Sequence, residues 1–160
     1  MGLIDCRDER KAKFLRLAGP EAMFSIVTYT DGHFDGVDAL WREAFPNDTA
    51  WNVAKTSIPE KLKVQPDLLL VAVESGSVVG SIMAGYDGHR GWISRIAVGK
   101  SSQRQGIGEA LIQEAERRLA ALGCIKVNLQ VVASNAAVLG FYQSLGYGVE
   151  ERISMSKRLP

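Results

Sequence analysis

The stretch Ile93-Ser94-Arg95-Ile96-Ala97-Val98-Gly99-Lys100-Ser101-Ser102-Gln103-Arg104-Gln105-Gly106-Ile107-Gly108 reads as a strand, a polar loop and two glycines that open a long helix. This order predicts an anion site. The first amides of a helix have no internal partners, and the helix dipole adds roughly half a positive charge there. Glycine lets an anionic group approach the backbone, and Arg104 adds a charged donor. The competing reading of the two glycines is close packing of the helix on a sheet. A P-loop is excluded, because no Gly-Lys-Ser/Thr follows the second glycine. A dinucleotide fingerprint is also absent, since Glu109, Ala110 and Leu111 follow Gly108 where a third glycine would be needed.

Outward from this segment the pattern is regular. Ile107, Leu111, Ile112, Ala115, Leu119 and Leu122 mark one face of a helix over 105–122, which Gly123 ends. Glu114 and Arg118 form an i,i+4 pair expected on its wet side. Upstream, Leu68–Glu74 is apolar on both faces, as in a central strand. Gly76-Ser77 turns it into a second strand over 78–86, and Asp87-Gly88 leads to a third over 92–98. Phe24–Thr30 is a further strand. Helices are expected over 34–45 and 50–63, the second interrupted by Pro59. Downstream, 126–132 alternates as a strand, Ser134 or Asn135 caps a helix ending near Leu145, and 147–159 is the last extended region. The sum is a mixed α/β domain, one continuous sheet covered by helices.

The chain has 160 residues, which predicts one domain with a sizeable core. Residues 23–160 are assigned to it. Residues 1–22 read as an N-terminal extension, either mobile or a helix with Phe14, Leu15, Leu17 and Ala18 on one face. Lys and Arg total 19 against 18 Asp and Glu, a net charge of +1. That argues against a nucleic-acid or anionic-membrane partner. The longest apolar run, Leu68–Val73, is too short to span a bilayer, and the charged start Asp5–Lys11 is unlike a signal peptide. Cys6 and Cys124 give neither metal spacing nor a disulfide framework. Both are read as reduced thiols in a cytoplasmic, metal-free protein.

Asn135, Phe141 and Tyr142 form a second constellation, one strand and one helix after the glycine loop. Taken singly, Asn135 is a helix cap and Tyr142 a half-buried packing residue. Together with Gln103-Arg104-Gln105-Gly106-Ile107-Gly108, they make the chain resemble the GNAT superfamily of N-acetyltransferases. Its pyrophosphate motif is Gln/Arg-x-x-Gly-x-Gly/Ala. Ala133-Ser134-Asn135-Ala136-Ala137 and Phe141–Tyr147 are similar to its later acetyl-CoA motif. The likeness is strong over 78–148 and extends over 24–77, with Lys100 standing where the family often has proline.

The resemblance implies a central, mixed but mostly antiparallel sheet with a splayed pair of strands and helices on both faces. It implies acetyl-CoA as co-substrate, with direct transfer of the acetyl group to a primary amine. Backbone amides of Gln103, Arg104, Gln105, Gly106, Ile107, Gly108 and Glu109 would grip the pyrophosphate. Ile96, Ala97 and Val98 would hold the pantetheine arm and supply an oxyanion donor. Asn135 would contact the arm, and Tyr142 would protonate the departing thiolate.

A general base is harder to place. A branch that acetylates the N-terminal alanine of ribosomal protein S18 carries a glutamate where this chain has Gln130, and a neutral amide takes no proton. Gly85-Tyr86-Asp87-Gly88-His89-Arg90-Gly91 resembles instead the YpeA-type branch. Asp87 and His89 thereby become candidates for acceptor binding or proton transfer, against the reading of a solvated turn; deprotonation through water is the other route. Trp41, Glu43, Phe45 and Asp48 are the candidates for an acceptor wall, although Trp41 and Phe45 are spaced for core packing and Glu43 for a wet helix face. The acceptor is expected to be a small-molecule amine or a peptide N-terminus, and the protein a monomer or a homodimer pairing through its last strand. Two other readings stay open: a non-catalytic acyl-CoA sensor and an N-terminal alanine acetyltransferase.

Overall fold

A computed structural model describes residues 23–159; the expectations for 1–22 lie outside the described residues. The chain runs β1 (Phe24–Thr28), α1 (Phe34–Ala44), α2 (Ala54–Lys63), β2 (Leu69–Glu74), β3 (Ser77–Tyr86), β4 (Gly91–Val98), α3 (Ile107–Ala121), β5 (Val127–Asn128) and α4 (Ala136–Ser144). The five strands form one sheet in sequence order. Strands β1 to β4 pair antiparallel, and β4 and β5 pair parallel.

The two-sided apolar pattern of β2 explains the layering. Successive strand side chains point to opposite faces. Leu68, Leu70 and Ala72 pack with Ile107, Leu111 and Ile112 of α3, whereas Leu69 and Val71 pack with Val37 and Leu40 of α1 and Ile58 of α2. Helices therefore cover both faces, as the mixed α/β reading required. Helix α2 continues through Pro59 instead of breaking. Burial of Ala54 and Ile58 outweighs the proline, which in an isolated helix costs about 3 kcal/mol.

Two expected strands differ. The one predicted over 126–132 pairs only at Gly91↔Val127 and Trp92↔Asn128. Beyond those residues it leaves β4, so its alternation has no ladder to join. The region 147–159 forms no strand. It touches residues 126–130 through side chains: Lys126 pairs with Glu150, and Gln130 Nε2 donates to Ser154 Oγ at 2.6 Å. Val149, Ile153 and Met155 stay exposed.

The Glu114–Arg118 pair is also not on a wet face. Glu114 is 9% exposed, and Arg118 reaches across to Thr28 Oγ1 at 2.7 Å and the Asp67 carbonyl at 2.6 Å. Among the described residues, no helix is long and apolar enough to cross a membrane, and no group of three or more His, Cys, Asp or Glu could hold a metal.

Candidate active site

Three features of the sheet shape the site. Strands β4 and β5 separate after Trp92 and Asn128, which opens a gap beside Arg95 of β4. The register between β3 and β4 shifts between Ser81 and Met83, and Arg95 takes a left-handed φ of 53° there. Such a bulge turns a side chain away from the simple alternation. Beyond Val98 the loop to α3 makes two left-handed turns, at Arg104 (φ 61°) and Gly106 (φ 79°).

The start of α3 is an open set of donors. Its first internal bond runs from the Ala110 N–H to the Gly106 carbonyl, at 3.0 Å. No side chain caps the helix, and the amides from Gly106 to Glu109 meet no acceptor among the described residues. The glutamines of the loop bind it to itself: Gln103 Nε2 donates to the Val98 carbonyl at 3.3 Å and Gln105 Nε2 to the Ser101 carbonyl at 3.4 Å.

The two glycines do different work. A Cβ on Gly106 would meet nothing within 4 Å, so its surroundings are open and its role is conformational. A Cβ on Gly108 would lie 3.3 Å from Phe141 Cζ and 3.7 Å from Val98 Cγ2. Open backbone and close packing, alternatives in the sequence, thus fall two positions apart. Gly106→Ala is expected to cost about 1–2 kcal/mol of stability in urea unfolding, from left-handed strain alone. A variant as stable as its parent would show that the loop turns without it.

Gly108 also links the loop to the second constellation. Phe141 packs at a tilt against Tyr142, ring centres 5.4 Å apart, and the Tyr142 ring meets Tyr147 edge-on at 5.6 Å. Tyr142 is 5% exposed. Burial pushes its phenol up to about 12. Its hydroxyl has no partner among the described residues, and the residue lines an open cleft of about 1760 Å³ that follows the gap between β4 and residues 125–132. Asn135 caps α4: its Oδ1 accepts from the Val138 N–H at 3.3 Å, and its side-chain amide stays exposed. Gln130 lies on the cleft but is turned to Ser154. Ile96–Val98 and Gln103–Glu109 adjoin the cleft through the Val98–Gly108–Phe141 contact and do not line it.

The remaining candidates divide. Trp41 is core: its Nε1 donates to buried Ser81 Oγ at 2.8 Å. Glu43 turns away from the cleft and accepts from the Lys100 N–H at 3.2 Å, fixing the entry of the glycine loop to α1. Asp87 closes its own turn, accepting from the amides of His89 (2.7 Å) and Arg90 (2.6 Å). These bonds, Arg90's first, hold its carboxyl below the usual range. It is a poor base there. His89, Phe45 and Asp48 do line the cleft.

The side chain that joins them was not among the expected ones. Arg95 stacks over Trp41 at 5.1 Å and over Phe45 at 4.8 Å, and its Nη1 pairs with Asp48. Burial alone would raise the Asp48 carboxyl, but Arg95 outweighs it and holds the pKa low. A signal was present in the sequence. Alternation puts Arg95 on the side of buried Ile93, where an arginine needs both a partner and a bulge.

The arrangement offers unpaired amides for an anion, a protonated phenol, and a cleft with a cation on its wall. A family model described as the acetyltransferase (GNAT) family matches residues 34–147. An acetyltransferase of Pectobacterium atrosepticum is 42% identical over 134 residues, covering 84% of this chain and 94% of that one. The aminoglycoside N-acetyltransferase AAC(6')-Iy, bound to a CoA bisubstrate analogue, superimposes with a TM-score of 0.73 at 19% identity, covering 87% of this chain and all of that one. The ribosomal-protein-S18-alanine N-acetyltransferase of Escherichia coli gives 0.65 at 23% identity, over 78% and 77% of the two chains.

Proposed function

The chain belongs to the acetyltransferase (GNAT) family, and on that premise we propose that it moves the acetyl group of acetyl-CoA to a primary amine by direct attack. One observation carries the reading. The unpaired amides at Gly106–Glu109 and the Tyr142 phenol are joined through the contact of Gly108 with Phe141. A diphosphate fits the first of these sites, because its donors are unsatisfied and the space around Gly106 is open.

Each residue then has a task. Gln103–Glu109 hold the pyrophosphate, with Arg104 as its side-chain partner. Asn135 donates its free amide to the pantetheine arm. Backbone N–H groups of Ile96–Val98, at the separating end of β4, stabilise the developing oxyanion. Tyr142 donates to the leaving sulfur. His89, the member of the Asp87–His89 turn that lines the cleft, receives the amine's proton through water. Holding both reactants in line supplies roughly 7–11 kcal/mol of barrier reduction.

At a hundred times its Kd, acetyl-CoA is expected to stabilise the protein by about 2.7 kcal/mol. That is a rise in Tm of roughly 5–10 °C at this size, whereas ATP or NAD at the same concentration leaves Tm unchanged. Equal shifts for all three would overturn the assignment. An acetylation screen over amines, polyamines, amino acids and N-terminal peptides separates catalysis from sensing, because a sensor turns over none of them.

A further inference from the structure

The Arg95 guanidinium is unusually well fixed for a side chain on the wall of an open cleft. Its central carbon sits over the rings of Trp41 and Phe45, and Asp48 holds one nitrogen, Nη1. Asp48 is itself positioned by the Thr49 N–H at 3.1 Å. A guanidinium carries five N–H donors in a rigid fork. Here Nε and Nη2 meet no acceptor among the described residues, and the side chain is 13% exposed where it lines the cleft.

The other charges of the cleft point the same way. Three carboxylates line it, and two of them are ion-paired. Asp48 is paired with Arg95, Glu116 accepts from the Tyr147 hydroxyl at 2.6 Å, and Glu150 is paired with Lys126 and Arg152. Glu116 alone keeps its charge without a cationic partner among the described residues, too little for the several extra ammonium groups of a polycation. Arg90, also on the wall, has no carboxylate partner among the described residues.

We propose that Arg95 determines acceptor specificity: the amine taken by this cleft carries a carboxylate, which docks on the free edge of the Arg95 guanidinium. The planar fork matches a carboxylate with two parallel bonds, and the stacking rings remove the cost of ordering the arginine on binding. This names the substrate class of the acetyl-transfer reading above and rests on it.

The test uses the full chain loaded with acetyl-CoA, with α-amino acids, β-alanine and γ-aminobutyrate, each beside its carboxamide, and with spermidine and kanamycin as cationic amines. The accepted acids are expected to exceed their amides in kcat/KM by roughly 10–100-fold, the span of one charge-assisted hydrogen bond. Arg95→Gln is expected to bring that ratio near one, and Arg95→Lys to leave it intermediate. The acid-to-amide ratio within one variant is insensitive to how much of that variant is folded. Calorimetric binding of the same panel to the CoA-loaded protein reads the site without turnover. Acid-selective binding with no acetylation would sustain the carboxylate site and overturn the acetyl-transfer reading. Turnover that ignores the carboxylate, or that favours spermidine or kanamycin, would overturn the carboxylate site and keep acetyl transfer. Absence of both overturns both.

Discussion

Tyr142→Phe is expected to lower turnover by about 10²–10⁴-fold, the span of one positioned proton donor, while CoA still binds. The substitution removes one oxygen and nothing else. The ring keeps its tilted contact with Phe141 and its edge contact with Tyr147. The hydroxyl has no protein partner among the described residues whose loss would weaken the fold. Stability should therefore change by no more than about 0.5 kcal/mol. Burial pushes the phenol up to about 12, so it carries its proton at every pH below that value. An ordinary thiol ionises near about 8.5, which alone would make the transfer uphill. A thiolate forming against the same apolar rings is pushed up as well, and the gap narrows where the charge develops. The pH profile of kcat should accordingly show no descending limb from Tyr142 below about pH 10. Unchanged turnover in the variant would remove Tyr142 as the donor. Parallel loss of CoA binding and turnover would make it a packing residue.

The β2–β3 hairpin, the two-sided burial of β2 and the glycine loop were legible because each is written locally. Left-handed Gly106, the hairpin at Gly76 and the two-sided apolar run of β2 depend on neighbours within a few residues. Arg95 is of another kind. Asp48, its counter-charge, stands 47 residues away, and the bulge that aims it arises from pairing with β3. The region 147–159 carries strand-forming residues, but a strand exists only where a second backbone completes its hydrogen bonds. No local pattern specifies that partner. Asn135 keeps the cap that its place at a helix start predicts: its oxygen accepts from Val138, and its amide stays exposed.

Glu114 shows the opposite failure, because its position was readable by arithmetic. Seven residues separate it from Ile107 and eleven separate Arg118 from Ile107. At 100° per residue both lie within about 20° of that buried residue. The i,i+4 rule identifies a pair and is silent on whether the pair faces water. Here it faces the end of the sheet. Glu114 accepts from Arg117 through Nε and Nη2, each at 2.8 Å, and from Arg118 Nε at 2.7 Å. Arg118 in turn ties α3 to β1 and to the turn before β2. Glu114→Ala leaves that arginine partly buried with no counter-charge. The expected loss is on the order of 3 kcal/mol, the low end for a broken buried pair because Arg118 keeps about a fifth of its side-chain surface in water. In thermal unfolding this is a fall of roughly 6–12 °C. The bonds from Arg117, outweighing burial, and then those from Arg118 hold the Glu114 carboxyl below the ordinary value of about 4.3. Its contribution is therefore complete above that pH and disappears as pH falls through the lower folded-state value. The stability gap between the parent and Glu114→Gln should close on acidification over that window. A loss within about 0.5 kcal/mol, with no dependence on acid pH, would return the pair to the exposed class. Glu114→Leu with Arg118→Met separates charge from packing. Replacing both partners by apolar groups of similar volume is often near neutral, so the double variant should be more stable than Glu114→Ala.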